Sequence, residues 1–271
     1  MERPRPEIVR HYETISEGER IAEGLGQLEL LRVRDVLEPY LPPPPATILD
    51  VGGATGIHAA WLAARGHHVH VVDLLPHHVE AAAGLAGGPG RITAQVGDAR
   101  ALPVDDASVD AVLLFGPLNH LTERADRLLA WSEARRVVRP GGYVVAAAIS
   151  RFASLFDGLA RGFLFDPVFA AVVDRDLADG QHRNPTGDPR WFTTAYFHRP
   201  DELRAEAEAA GADVVELVGL EGLAGWLPHL AGAWAEAEGR EVILGAARAV
   251  AAEPSLLGLS AHLLAVTRTA P

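Results

Sequence analysis

The densest run of chemistry-bearing residues is Ile48-Leu-Asp-Val-Gly-Gly-Ala-Thr-Gly56, an acid at the end of an apolar run followed by three glycines. A glycine-rich turn between strand and helix lets the backbone approach a ligand and aims the first amides of the helix at it. Spacing discriminates among ligands. A dinucleotide fingerprint counted from Gly52 needs glycine where Ala54 and Ile57 stand; counted from Gly53, it needs glycine at Thr55 and His58. A P-loop needs lysine, and all 24 basic residues are Arg. What remains is Asp50, Gly52, Gly53 and Gly56.

Further acids and turns recur at the ends of later apolar runs. Asp73-Leu74 closes the second, Gly97-Asp98-Ala99 follows the third, and Phe115-Gly116-Pro-Leu-Asn119-His120 follows the fourth. Arg139-Pro-Gly-Gly142 precedes the fifth. In this order the set resembles the class I S-adenosylmethionine-dependent methyltransferases, with Asp50-x-Gly-x-x-x-Gly56 standing for motif I and Ala54 at its middle glycine. The resemblance implies S-adenosylmethionine as cofactor, with Asp73 receiving both ribose hydroxyls and Asp98 facing the adenine amino group. Gly52, Gly53, Gly56, Leu74, Gly97, Ala99, Phe115 and Gly116 would complete the cofactor shell. Tyr12 resembles an N-terminal tyrosine that closes over the cofactor in related enzymes, and Arg20 would reach the methionine carboxylate. The chemistry agrees: one carboxylate can accept both donors of a ribose diol. A cleft holding Asp50, Asp73 and Asp98 suits a sulfonium cation.

Methyl transfer from a sulfonium is an in-line displacement, so positioning matters most and a base only where the acceptor carries a proton. His120 is the best-placed general base, since its reference pKa lies near neutrality. Gly116-Pro-Leu-x-His-Leu resembles a bacterial small-molecule subgroup, in which an aromatic is expected where Asn119 stands. The loop lacks the Asn-Pro-Pro-Tyr signature for nucleobase amines, and the absence of Cys removes any thiolate adduct. Asn119, Arg151, His182, Arg183, Tyr196 and His198 are the acceptor-site candidates: Arg for a carboxylate, Tyr and His for a proton. His58, His67, His68, His70, His77 and His78 crowd a short stretch. No carboxylate sits at ligand spacing there, so no metal is expected.

Strands and helices alternate behind these residues, which implies βαβ units in a parallel sheet. The expected fold is α/β, a doubly wound, Rossmann-like, mostly parallel seven-stranded sheet with helices on both faces. Residues 1–45 read as a helical cap, helical from roughly Ile8 to Tyr40 and ended by Pro39 and the run Pro42 to Pro45. Residues 46–150 form the cofactor-binding core, with a helix closed at Pro140-Gly141 before a strand Tyr143–Ile149. Residues 151–199 read as a helical lid insertion holding seven of the eight Phe. Residues 200–271 complete the sheet, with helical stretches from Leu223 to Ala252.

Composition narrows the function classes. A net charge of −12 argues against a nucleic-acid partner. The N-terminal residues lack the apolar core of a signal peptide, and Val242 to Val266 is broken by Arg248, Glu253 and Pro254, so no membrane partner and a cytoplasmic location are expected. The expected activity is methyl transfer to O or N of a small, partly apolar or aromatic acceptor. The competing readings are a peptide or protein acceptor, an NAD(P)-dependent oxidoreductase, and a non-catalytic cofactor-binding module. The oligomeric state is not legible in the chain.

Overall fold

A computed structural model describes residues 5–15, 17–86 and 88–270. The chain opens with α1 (Pro6–Thr14), α2 (Glu17–Ala22) and α3 (Gly26–Leu37). The stretch expected to be helical from roughly Ile8 to Tyr40 is so in three pieces: Ile15 is extended, and the backbone turns again between Glu23 and Gly26. The core then alternates β1 (Thr47–Val51), α4 (Ile57–Ala64), β2 (His68–Asp73), α5 (Pro76–Ala83), β3 (Arg91–Val96), β4 (Val109–Leu114), α6 (Pro117–His120), α7 (Arg124–Val137) and β5 (Val138–Ile149). β5 begins directly after α7, five residues before the expected strand, and a register shift beside Val109 and Ala111 absorbs the Pro140-Gly-Gly turn.

The sheet order is β3-β2-β1-β4-β5-β9-β8, where β8 is Asp213–Gly219 and β9 is His262–Arg268. Only β9 runs against its neighbours. Helices cover both faces, so β1 is apolar at successive positions. Leu49 and Val51 pack with Trp131 of α7 and Leu203 of α10 (Pro200–Ala209); Ile48 packs with Val33 of α3, Leu62 of α4 and Ala82 of α5. α3 also buries Leu28 against Trp234 of α11 (Ala231–Ala235) and Leu244 of α12 (Ala237–Val250).

Between β5 and α10 the chain forms α8 (Ala153–Arg161), α9 (Pro167–Asp179) and a hairpin of β6 (Gln181–His182) with β7 (Ala195–Tyr196). Phe169, Val173 and Trp191 form its own small core. The insertion is therefore helical with a short ribbon, which returns the chain from α9 towards the sheet. Among the described residues no helix is long and apolar enough to cross a membrane.

Candidate functional site

The carboxyl ends of the parallel strands open into one cavity of about 1070 Å³, lined from Gly52, Asp73 and Gly97 at one end to Trp191, Phe192 and Trp226 at the other. Ligands in such sheets bind outside this edge, where the strand order reverses. Here that point lies between β1 and β4. The cavity exceeds the roughly 300–1,000 Å³ of a single small-ligand pocket.

At the β1–β2–β3 end the Gly-rich turn makes the cradle. Gly52 adopts φ +76, and a Cβ there would stand 2.2 Å from the carbonyl oxygen of Phe115. Ala54, where the motif carries its middle glycine, is itself left-handed at φ +47, a conformation that costs an L-residue about 1–2 kcal/mol. Its amide donates to Asp73 Oδ2 at 3.0 Å. Asp73 Oδ1 receives the Leu75 amide at 2.9 Å and the His78 ring at 3.1 Å. The strand-end acid is thus held rigidly at the rim by the loop opposite and by α5. Gly52, Gly53, Asp73, Leu74, Gly97, Asp98, Ala99, Phe115 and Gly116 all line the cavity.

Two acids stand differently from expectation. Asp50 is fully buried beneath the turn, outside the cavity lining, with no hydrogen-bond partner for either carboxylate oxygen among the described residues. Burial, with the neighbouring Asp73, pushes it up to about 7. Asp98 is clasped by Arg100, whose Nη2 lies 2.8 Å from Oδ2 and which also meets Asp126 at 3.1 Å. Against the pull of burial, that guanidinium holds Asp98 below the usual carboxylate range. The cleft is therefore not a set of three bare acids. Gly56 also lies outside the lining and caps α4. The backbone cradle, the rim carboxylate and the polar floor nevertheless fit a ribose-bearing ligand, as a glycine turn before a helix requires.

α6 carries the candidate base. His120 Nδ1 faces the Thr194 carbonyl at 3.3 Å, and its Nε2 lies 2.7 Å from the Tyr12 hydroxyl. In the neutral ring Nδ1 therefore bears the proton, Nε2 accepts, and Tyr12 donates. This joins the cap, the insertion and the post-β4 loop at one imidazole ring. Phe192 lies beside the His120 ring at 5.9 Å, tilted by 31°. Asn119 Oδ1 accepts from the Ile149 amide at 2.8 Å, which fixes α6 to the end of β5 and leaves the Asn119 amide group for the cavity it lines. Arg20 lines the same cavity and pairs with Glu29 at 2.7 Å.

Five candidates expected at the acceptor lie outside the cavity lining, and their partners explain why. Arg151 is buried, donating to the Phe197 carbonyl at 2.8 Å and to Glu202 at 2.6 Å. His182 is sandwiched between Asp176 and the Trp191 carbonyl, each at 2.8 Å. Tyr196 bonds Glu202 and lies under the Arg127 guanidinium, 3.6 Å from its ring centre. His198 meets Glu206 at 3.2 Å, and Glu206 pairs in turn with buried Arg127 at 2.7 Å. Arg183, also outside the lining, bonds Gln181 and the carbonyls of His182 and Ala195. These five build the insertion and tie it to α7 and α10.

The crowded histidines likewise disperse. His58 packs on Phe115, and burial lowers it to about 4; His70 bonds Thr93, and His78 bonds Asp73. A group not foreseen lies elsewhere: Glu29, Glu221 and His262 bring one ligand-type atom each within 4.8 Å of one another. Glu221 follows β8 and His262 opens β9, so the signal was two polar residues at the ends of adjacent strands.

Residues 49–146 match the family described as "Methyltransferase domain". The "Ubiquinone/menaquinone biosynthesis C-methyltransferase UbiE" of Acidiphilium cryptum is 40% identical over 114 residues, 41% of this chain and 45% of that protein. The "Demethylmenaquinone methyltransferase" of Clavibacter sepedonicus is 36% identical over 103 residues, 38% of this chain and 41% of that protein. The chain spans less than half the length of these curated relatives. An S-adenosylmethionine-dependent methyltransferase of Mesorhizobium loti superposes with a TM-score of 0.58 at 18% identity, covering 89% of this chain and 99% of that one. The [4+2]-cyclase SpnF superposes at 0.63 with 18% identity, covering 100% and 99%. A cyclase on the same fold shows that architecture alone does not name a reaction.

Proposed function

We propose that this chain is a class I S-adenosylmethionine-dependent methyltransferase that uses S-adenosylmethionine to move a methyl group to an oxygen or nitrogen of a small, partly apolar or aromatic acceptor; the match of residues 49–146 to a methyltransferase-domain family supports the reading. The supporting observation is the continuous cavity, with its glycine cradle and rim carboxylate at one end and Trp191, Phe192 and Trp226 at the other. Walls of this kind suit a small aromatic body better than an extended peptide.

The cofactor supplies an electrophilic methyl on a sulfonium. The chain supplies position, exclusion of water and a path for a proton. Tyr12 passes its hydroxyl proton to His120 Nε2 and takes the proton of an acceptor O–H or N–H in its place. The imidazolium so formed keeps its Nδ1–H on Thr194 O. His120 thus acts through Tyr12. Asn119 offers its amide to the bound acceptor, and the ring of Phe192 holds the histidine in place. The Acidiphilium cryptum relative, named a C-methyltransferase of ubiquinone/menaquinone biosynthesis, favours a second reading, transfer to a carbon of a quinone-type acceptor.

Calorimetric titration with S-adenosylhomocysteine, NAD and NADP tests the cofactor end. Saturable binding of the first alone is expected, weakened by roughly 2 kcal/mol or more in Asp73→Ala, the scale of lost charge-assisted hydrogen bonds. Binding of a dinucleotide instead would overturn the reading. Assay of S-adenosylhomocysteine release across phenols, quinols and amines, with mass spectrometry of the product, then separates oxygen, nitrogen and carbon as the methylated atom. Cofactor binding with no turnover on any of them would leave a non-catalytic module.

A further inference from the structure

The acceptor end of the cavity holds a second histidine with a built support. In the sheet order the cofactor motifs occupy β1, β2 and β3, whereas His262 pairs with Ile149 across β5 and β9, in the opposite half of the same edge. His262 Nδ1 donates to Glu221 Oε1 at 2.5 Å, and its backbone amide donates to Oε2 of the same carboxylate at 3.1 Å. Both oxygens of buried Glu221 are therefore directed to one residue. Glu29 Oε2 stands 3.6 Å from the same Nδ1, and Arg20 pairs with Glu29 from the cap. The charged groups around the ring are thus Glu221 after β8, Glu29 on α3 and Arg20 on α2. With Nδ1 committed, Nε2 is the ring's remaining donor. Among the described residues no group bonds it, and His262 lines the cavity.

We propose that His262, oriented by Glu221, is an acceptor-binding residue whose Nε2–H donates to an anionic oxygen of the substrate, which makes the acceptor an aromatic carrying a carboxylate, phenolate or enolate oxygen. The inference rests on the methyltransferase reading and deepens it by giving the two histidines separate tasks: His120 takes a proton through Tyr12, and His262 gives a hydrogen bond. Against the burial that would lower it, the carboxylates of Glu29 and Glu221 hold His262 up to about 9, so the ring stays a donor at neutral pH. A dyad whose carboxylate is fully bonded to its own histidine is preorganised for this, whereas a cation would have to break both bonds.

The test uses the protein saturated with S-adenosylhomocysteine and two probes, 4-hydroxybenzoate and the uncharged 4-hydroxybenzamide, titrated by calorimetry. The expected result is a benzoate preference of about tenfold or more, the scale of one charge-assisted hydrogen bond. It should be erased in His262→Gln, reduced in Glu221→Gln, and lost as pH rises through about 9. Equal binding of the probes, binding of neither, or a preference that survives His262→Gln overturns it. Tightening of benzoate by added Mg²⁺ alone also overturns it, since the cluster would then be a cation site. S-adenosylhomocysteine affinity unchanged in both variants shows that they fold. Failure of that ligand to bind the unmodified protein sinks the methyltransferase reading itself, a distinct result.

Discussion

At the residue scale, the Tyr12–His120 bond separates a relay from a wall. Tyr12→Phe keeps the ring and removes the donor to Nε2, so turnover should fall by roughly tenfold or more while KM moves little. His120→Gln should cost roughly a hundredfold, within the range of positioned acid–base groups. Steady-state kinetics against the best acceptor checks both. A loss under fivefold in each would make the pair a packing contact. This arrangement was half legible. His120 was found from its place after the fourth strand, and Tyr12 was noticed. Their contact was not, because it joins positions 108 apart. Arg151 and His182 show the opposite error. A sequence displays an Arg or a His but not the Glu202 or Asp176 that claims it. His262 was missed because its partner, Glu221, reaches it only through antiparallel pairing.

At the element scale, the insertion is fastened to the core by a buried polar network. Arg127 of α7 bonds Glu206 of α10 through Nε and Nη2, and Glu206 also receives His198 at the end of the insertion. Although burial opposes it, bonds from His198 and Arg127 hold the Glu206 carboxyl below its usual range. Removing one member leaves a buried guanidinium without its anion. Glu206→Ala should destabilise by about 3–5 kcal/mol, and Glu206→Gln by less. Urea unfolding checks this; a change under 1 kcal/mol would mean that the network is solvated. The alternation of strands was legible from β1 to β5 because each strand is a short apolar run between turns. The break of the cap into α1, α2 and α3 was not. Its apolar spacing continues through the turns, and only tertiary packing decides where the backbone bends.

At the scale of the whole molecule, stability should depend on pH in a way set by a few buried groups. Asp50, raised to about 7, is indifferent below its unfolded value near 4 and increasingly costly as pH rises from there to about 7. His262 contributes stability that is fully present below about 6.5 and lost as pH rises through about 9. Asp98 and Glu206, both lowered, contribute above their unfolded values and lose that contribution in acid. His58, lowered to about 4 by burial, gains stability as pH rises from there to about 6.5 and offsets Asp50 over that span, so the ligand-free protein should weaken chiefly above about pH 6.5 as His262 titrates, by up to about 1.4 kcal/mol per pH unit for one titrating group. Asp50→Asn should gain on the wild type by a margin that grows between about pH 4 and 7, and chemical denaturation at a series of pH values measures it. A margin between the two proteins that stays constant through that window would show that Asp50 is ionised in the fold.

One feature of the sheet reaches beyond the site. Because β9 runs against its neighbours, it is the entry of this strand, not its exit, that stands at the ligand edge. The turn before it therefore acts as a ruler. Ser260 Oγ receives the Gly222 amide at 2.8 Å, which locks the start of β9 to the segment bearing Glu221. A strand has a side-chain period of two, so a slip of one residue there would swing His262 to the opposite face of the sheet and leave the glycine turn and Asp73 in place. On the role proposed for His262, the length of a loop far from the glycine turn would thus set which acceptor binds, and inserting or deleting a single residue there would exchange one acceptor for another.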